Sequence, residues 1–521
     1  MQFYYSRFLA IQVWLKIDVL ALGMLSAIRR SLNLIQDWSQ KPFTISDVPS
    51  EDPAVYEMIS KADTIGVFQI ESRAQMSMLP RMKPKCFYDL VIEVAIVRPG
   101  PIQGGMVHPY LERRQGKKPI TYPSLSVKEV LERTLGVPIF QEQVMQLAIV
   151  AAGFTPGEAD QLRRSMAAWK RRGGLGHFEQ KLIKGMQIRG YSERFAKKIF
   201  KQILGFGEYG FPESHSASFA LLVYVSSWLK RHEPAAFTCA LLNSQPMGFY
   251  TPSQLIQDAQ RHNVIILPVD ALLSHHECRL THTPNTTKPA IRLGFNMVKG
   301  LSTKAAHNII AHRAEHLTID QIIRLAKLNK KDIHALVQSD ALLNSIGNRY
   351  QANWWANGLD LNPPELFRNF PETQESIKLS KPTMGENIVA DYRSLGLSLR
   401  KHPLCLLRSE LLKRKMITAE HIKTLPNGTS VRITGIVTSR QRPSTSSGVV
   451  FVTLEDETGY ANVVIWRRIA SEQRQVLINA QLLGVKGYIE RDGQVIHLIA
   501  KQLVDFSPLL GKLVTKSRNF H

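Results

Sequence analysis

Lys16 and Asp18 stand two apart on a strand-like run, "WLKIDVLALGML" from Trp14 to Leu25, so their side chains leave the same face of it. A phosphoryl-transfer centre needs both groups: a carboxylate to hold a divalent metal and a cation to neutralise a triphosphate. The same spacing also makes a plain ion pair at a solvated strand edge. Arg163 and Arg164 are neighbours on a helix, about 100° apart around its axis, with Lys170, Arg171 and Arg172 beyond them. They offer charge-assisted bonds to a triphosphate or a nucleic-acid backbone, or else form a solvated basic face. Arg98 precedes Pro99-Gly100-Pro101, a rigid turn that would hold its guanidinium in place. Ser214, His215 and Ser216 read either as site groups or as a helix cap with a satisfied histidine.

The elements that position these residues are mostly helical. From Leu25 onward the pattern is that of helices broken by turns such as "RPGP" and "GFGEYGFPES". Thr155, Pro156 and Glu158 form an N-cap, first helical residue and capping-box acid, opening the helix that carries "DQLRRSMAAWKRR". The run "SASFALLVYVSSWLKRH" is apolar almost all round until Lys230, which predicts a helix buried in a large domain.

From Ile291 short helices and tight turns are expected, in two similar stretches, "IRLGFNMVKGLSTKAAHNIIAHR" and "LAKLNKKDIHALVQSDALL". They suggest helix-hairpin-helix modules, whose hairpin amides bind DNA phosphates without reading sequence. Lys299 and Gly300 make the first hairpin, with Lys304 just beyond, and Ser302 stands where a second glycine is expected. A purely helical spacer is the other reading. A polar, proline-containing connection runs from Asn362 to Gly385.

After Asn427 the period becomes two, giving about five strands with turns at Glu457–Gly459 and Arg491–Gly493 and a helix-like insert at Arg467–Leu477. That pattern fits an OB barrel better than a sandwich. The loop "RQRPSTSSG", with Arg440 and Arg442, and the aromatics Phe451, Tyr460 and Tyr488 suit single-stranded nucleic acid, although strand aromatics serve equally as core.

Composition narrows the field. With 521 residues the chain needs several domains, and 66 basic against 43 acidic residues give a net charge of +23, which favours a polyanionic partner. The four cysteines, Cys86, Cys239, Cys278 and Cys405, lie far apart and form no metal-ligand or redox pair, as reduced cytosolic thiols do. No export signal is read at the N-terminus, and the longest uncharged apolar run, Ser216 to Leu229, is too short to span a bilayer.

The blocks "KIDVLALGML", "IGVFQIESRAQMSMLPRMKPKCFYDLV", "AIVRPGPIQGGMVHPYLERRQG", "FQEQVMQLAIVAAGF", "LRRSM", "YGFPESHSASFALLVYVSSWLK" and "IGNRYQANWW" follow one another in unbroken order. In them the chain resembles the bacterial C-family DNA polymerases, in the error-prone branch related to the replicative DNA polymerase III alpha subunit. The resemblance implies a multidomain protein: an unmatched segment 1–14, a palm remnant 15–25, mainly α-helical fingers with a following helical or mixed region 26–285, and tandem helix-hairpin-helix 286–360. A linker and helical connection 361–426, an OB-fold β-barrel 427–508 and a tail 509–521 complete it, and "SRNFH" looks like the natural end of that branch.

Residue by residue, the resemblance makes Asp18 one of three metal-binding aspartates and Lys16 the cation beside it. It places Arg163 and Arg164 near the incoming triphosphate and Arg98, Ser214 and His215 along the same cleft. It further implies Mg²⁺, deoxynucleoside triphosphates and a DNA primer-template as ligands, single-stranded template at the barrel, Lys299, Gly300, Lys304, Arg440 and Arg442 as DNA contacts, accessory translesion proteins as partners and a cytoplasmic location. The other two aspartates of the family motif lie upstream of anything in this sequence, so the expectation is that this chain alone does not polymerise. Three function classes stay open: part of an error-prone polymerase acting in DNA repair and translesion synthesis, a non-catalytic DNA-binding chain, or an RNA-binding OB protein, which would prefer RNA over DNA of the same sequence. Nucleotide incorporation separates the first two.

Overall fold

The computed structural model describes residues 21–521 apart from 99–100, 103–104, 173–175, 206–210, 285, 363, 365–378, 443–447, 494, 514–517 and 521. Lys16, Asp18 and the expected segment 1–14 lie outside the described residues. Helix α1 (Leu22–Ser39) follows Ala21, whose backbone is left-handed. Gly23 lies inside the helix, where a Cβ would stand 3.3 Å from the Cβ of Met247.

Among the described residues twelve further α-helices follow before the first strand: α2 (Pro53–Ser60), α3 (Arg73–Met82), α4 (Phe87–Ile96), α5 (Val107–Arg114), α6 (Leu125–Leu131), α7 (Gln141–Ala152), α8 (Pro156–Arg172), α9 (Gly176–Ile188), α10 (Glu193–Gly205), α11 (Glu213–His232), α12 (Pro234–Asn243) and α13 (Pro252–Arg261). Their starts are written locally. Pro53 and Pro252 take the first helical position after the caps Asp52 and Thr251, and the Thr155–Glu158 box forms as the spacing predicts.

Around them the apolar helix α11 is the hub. It packs against α4, α12, α2 and α1, and ten of its residues are buried. The serines before Ala217 do not cap it: Pro212 is the N-cap, and the Glu142 carboxylate accepts the Glu213 amide at 3.1 Å. Ser216 is instead inside the helix, donating to the Val91 carbonyl of α4.

A small sheet follows, with order β1-β3-β2, built from β1 (Ile266–Leu267), β2 (Arg279–Thr283) and β3 (Thr286–Arg292). It corrects the expectation that short helices begin at Ile291, since Ile291 and Arg292 pair in register with Ile266 and Leu267. Pro289 hides the strand in the sequence, and an irregularity between Thr281 and Thr283 lets the ladder accommodate it.

Helices α14 (Thr303–His312), α15 (Ile319–Leu325), α16 (Lys330–Gln338) and α17 (Arg349–Gly358) then follow, each capped by its own Ser, Thr or Asn; α15 and α16 flank the second expected hairpin, whereas before the first stand β3 and a 3-10 turn at Phe295–Met297, with α14 alone after it. The connection contains α18 (Met384–Ser394), α19 (Pro403–Lys413) and α20 (Ala419–Thr424). A buried ionic network binds it to these helices: Arg349 bonds Asp391 and, at 2.6 Å, Asn387 Oδ1, while Arg400 reaches Asp340 and Asp391.

The barrel strands are β4 (Ser430–Gln441), β5 (Val450–Asp456), β6 (Gly459–Ile465), β7 (Leu482–Asp492) and β8 (Val495–Asp505). They close in the order β4-β5-β6-β8-β7-β4, with β6 and β8 parallel and β9 (Arg518–Phe520) added beside β4. The helical insert forms α21 (Arg467–Glu472) and α22 (Arg474–Asn479) between β6 and β7. Closure needs a glycine at Gly487, where a Cβ would stand 2.1 Å from the Ile499 carbonyl oxygen. The barrel docks on α13 through Gln257, which donates to Glu455 at 2.8 Å, and Arg261, which lies over the Tyr460 ring at 4.6 Å.

Two buried polar features of the helical region make measurable predictions. Lys230, only 3% exposed at the end of α11, holds Asp258 at 2.6 Å and Asp63 at 3.0 Å, and His262 donates to Asp63 at 2.6 Å. Lys230→Met leaves two acids without their shared cation and is expected to cost about 3 kcal/mol or more in chemical denaturation. The Asp63 hydrogen bond raises His262 above the ordinary histidine value against the effect of burial. The stabilisation from His262 is therefore complete below about pH 6.5 and is lost as pH rises through the raised folded value. His262→Asn should lower the urea midpoint more at pH 6 than at pH 9.

Glu93 of α4 is fully buried, neither of its carboxyl oxygens has a hydrogen-bond partner among the described residues, and burial pushes its carboxyl up to about 8. It is neutral at pH 7. Because its folded pKa is raised, the protein loses stability from this group as pH climbs from about 4.3 toward the folded value. Glu93→Gln should raise the urea midpoint at pH 8 and change it little at pH 4.

Candidate nucleic-acid interface

Arg98 and His215, far apart in sequence, meet on one ring. The Arg98 guanidinium lies 4.7 Å from the centroid of Phe211, its Nε donates to the Val94 carbonyl, and His215 packs against Phe211 at 4.8 Å and Phe219 at 4.3 Å. A parallel bridge between Phe140 and Phe211 ties this cluster to the start of α7, against which α8 packs. Ser214 is exposed, and its carbonyl accepts the Ser218 hydroxyl one turn on. The cluster thus joins a cation, two aromatic faces and an imidazole at the N-terminal end of α11.

On α8, Arg163 and Arg164 converge on a single acid. Asp160 takes Arg163 at 2.9 Å and Arg164 at 2.7 Å, and these bonds, the Arg163 one foremost, hold its carboxyl below the usual range. Arg164 is exposed, so the pair is a weak clasp that a triphosphate can outcompete. The side chains of Lys170, Arg171 and Arg172 lie outside the described ones.

In the first helical hairpin the predicted groups are already engaged. The Lys299 ammonium donates to the Tyr392 and Arg393 carbonyls at the end of α18, at 3.1 and 3.3 Å. Gly300 adopts a left-handed φ of 88°, as a hairpin requires. The Ser302 amide donates to Asp332 at 2.9 Å, so a carboxylate stands on an amide that hairpins of this type offer to phosphate. Lys304 is exposed on the next turn.

The barrel divides its arginines in the same way. Arg440 donates to the Leu477 carbonyl at 2.6 Å and to that of Ala480, closing the end of α22, whereas Arg442 is exposed. Tyr460 serves the barrel's docking on α13, while Phe451 and Tyr488 join Val449, Val464 and Ile499 in a separate cluster. Lys501 stands 5.2 Å above the Tyr488 ring.

Sequence reasoning missed a basic cleft of about 810 Å³ lined by Arg81, Lys83, Lys85, Arg113, Arg114 and Lys117. Its signal was present in the charge-dense stretches "RMKPK" and "RRQGKK". What unites them is Arg114, which bonds Asp89 at 2.5 Å and the Met82 carbonyl at 3.1 Å. Acidic and imidazole groups converge at Asp63, Asp258 and His262, but the Lys230 ammonium already supplies the positive charge there, so that group does not fit a divalent ion. Among the described residues no helix is long and apolar enough to cross a membrane.

Comparison with known proteins agrees with this architecture. Residues 24–190 match the bacterial DNA polymerase III alpha subunit finger domain, residues 263–352 a helix-hairpin-helix motif, and residues 431–505 an OB-fold nucleic acid binding domain. The chain is 57% identical to an error-prone DNA polymerase of Alkalilimnicola ehrlichii over 97% of its own length and 50% of that protein's. With those of Dechloromonas aromatica and Pseudomonas aeruginosa it shares 56% and 53%, again over 97% of this chain and 49% of each relative. By sequence the chain is a homologue of the error-prone DNA polymerases, of whose length it spans about half, and it carries a polymerase III alpha finger domain, a helix-hairpin-helix motif and an OB fold.

Proposed function

We propose that the chain works as part of an error-prone, DNA-directed DNA polymerase acting in DNA repair and translesion synthesis in the cytoplasm. The observation that carries this reading is the 57% identity, along 97% of the chain, to a protein of that name. In the proposed reaction Arg163 and Arg164 exchange Asp160 for the incoming deoxynucleoside triphosphate, and Arg98 and His215, braced on Phe211, line the approach to it. Lys16 neutralises charge beside Asp18. Mg²⁺, when bound, would supply charge stabilisation to the transferring phosphoryl group, with Asp18 as its ligand from this chain. Primer-template DNA is the second substrate, and the exposed Lys304 and Arg442 are proposed contacts to its backbone.

Primer extension tests the assignment. In the full-length enzyme, Asp18→Asn should lower incorporation by about 100-fold or more, the scale of losing one group that stabilises transition-state charge. Arg164→Ala should raise the KM for the triphosphate more than it lowers kcat. An Asp18→Asn enzyme near wild-type rate would overturn the catalytic role. Because two-metal chemistry needs more carboxylates than Asp18 supplies, the 521 residues by themselves are expected to bind primer-template with affinity that falls steeply with salt, and to add no nucleotide.

A further inference from the structure

A pocket of about 360 Å³ lies within the helical region, between α5, the chain leading into α6, and α10. It shares Arg113 and no other lining residue with the basic cleft. Three rings line it, those of Tyr122, Tyr191 and Phe195, together with the cations Arg113 and Lys198 and the amide of Gln202. None of its lining residues is an acid.

Local structure sets each wall. Gly136 has a left-handed φ of 77°, and a Cβ there would stand 2.5 Å from Arg113 Nη1 and 3.4 Å from Tyr122 Cε1, so glycine leaves the guanidinium its place. Arg113 donates from Nη1 to the Leu135 carbonyl at 2.5 Å, while its buried Nε has no hydrogen-bond partner among the described residues. Such donors are rare in folded proteins. Tyr191 and Phe195 place their ring centroids 5.9 Å apart, and the Tyr191 hydroxyl shares a 2.7 Å hydrogen bond with that of Ser124 at the start of α6. Gln202 follows Phe195 by two turns of α10 and is 7% exposed.

The charge at this pocket is unbalanced. Partial burial and the like charges of Arg113, Lys118 and Arg194 hold the Lys198 ammonium below the ordinary lysine value. Glu112, next to Arg113 in the sequence, is taken by Lys118 at 2.9 Å. Cations gathered without an acid repel one another, and an anion seated among them removes that repulsion.

We propose that this pocket binds a free adenine nucleotide, with its base against Tyr191 and Phe195, an edge of that base on the Gln202 amide, and its phosphates on Arg113 and Lys198. Flat side-chain rings stack on bases of any kind. The amide selects among them, because it donates and accepts at once and so matches the N7 acceptor and N6 donor of adenine. A guanidinium and an ammonium hold phosphate oxygens by charge-assisted bonds. The volume stands at the low end of the range for small-ligand sites, about 300 to 1,000 Å³, which suits one nucleotide and not a strand. Arg163 and Arg164, on α8, line no part of this pocket, so it is a second nucleotide site and does not rest on the polymerase reading.

Isothermal titration calorimetry of the 521-residue chain with ADP, in EDTA so that no metal bridges the phosphates, tests this without any synthesis. ADP should bind about tenfold more tightly than GDP, the discrimination that one bidentate amide contact to a base supplies. Lys198→Ala should weaken ADP binding about tenfold or more, the scale of one charge-assisted bond. Its urea midpoint should stay at or above the parent's, since the change removes repulsion. Gln202→Leu should bind ADP and GDP alike, and Arg164→Ala should bind ADP as the parent does. Absence of binding at millimolar ADP, or an unchanged affinity in Lys198→Ala, overturns the pocket. Loss of binding in Arg164→Ala alone assigns the ADP to the α8 arginines and overturns it equally. Equal affinities for ADP and GDP in the parent, or a preference that survives Gln202→Leu, overturn the choice of adenine. A 5′-phosphorylated oligodeoxyadenylate that displaces ADP and binds more tightly overturns the free nucleotide. A chain that binds ADP as expected while the full-length enzyme fails in primer extension leaves this proposal standing and removes the polymerase reading alone.

Discussion

Burial of α11 is the constraint on which the helical region depends. A helix apolar on nearly every side must be wrapped, and α1, α2, α4 and α12 do the wrapping. Its two ends then become special places by geometry. At the N-terminal end the chain before it brings Phe211 under Arg98 and beside His215. At the C-terminal end Lys230, too deep to reach water, draws Asp63, Asp258 and His262 around it. One hydrophobic demand therefore organises both a cationic cluster and an internal ion network.

A second theme is the acid that holds a cation or an amide of the chain itself. Asp160 occupies Arg163 and Arg164, Asp332 occupies the Ser302 amide, and Asp492 occupies Arg81. These three differ in permanence. Asp332 is buried and caps a hairpin, so it belongs to the fold. Asp492 and Arg164 are exposed, where water and salt weaken an ion pair and make it exchangeable. The net charge of +23 is thus a poor map of the interface, because many cations such as Lys299, Arg349 and Arg440 are bound to carbonyls or carboxylates of the chain itself.

Local signals in the sequence were read correctly wherever the physics is local. The Thr155–Glu158 capping box, the buried character of the Ser216–Leu229 run and the alternation of the barrel strands each depend on neighbours within a few residues. The small sheet escaped because β1 has only two residues and β3 contains Pro289, so neither shows the alternation that marks a strand. The serine cap of α11 was misread because its first amide is met by Glu142, a residue 71 positions away.

The sequence by itself determined the parts: a long buried helix, short helices with their caps, a five-stranded barrel and a strong excess of cations, because periodicity, capping and composition act within one segment. Which cations share a cleft and which are bound to the chain itself was decided only by the tertiary structure. Arg81 and Arg113 belong to different segments and share one cleft because α3 and α5 are held together by Arg114. Arg440 and Arg442 are two residues apart, yet one closes a helix and the other faces solvent, because β4 ends at Gln441 and Arg442 lies beyond its ladder. Proximity and burial are properties of the packed chain, and the surroundings of Arg98, Arg163 and Asp492 are set by what each lies against.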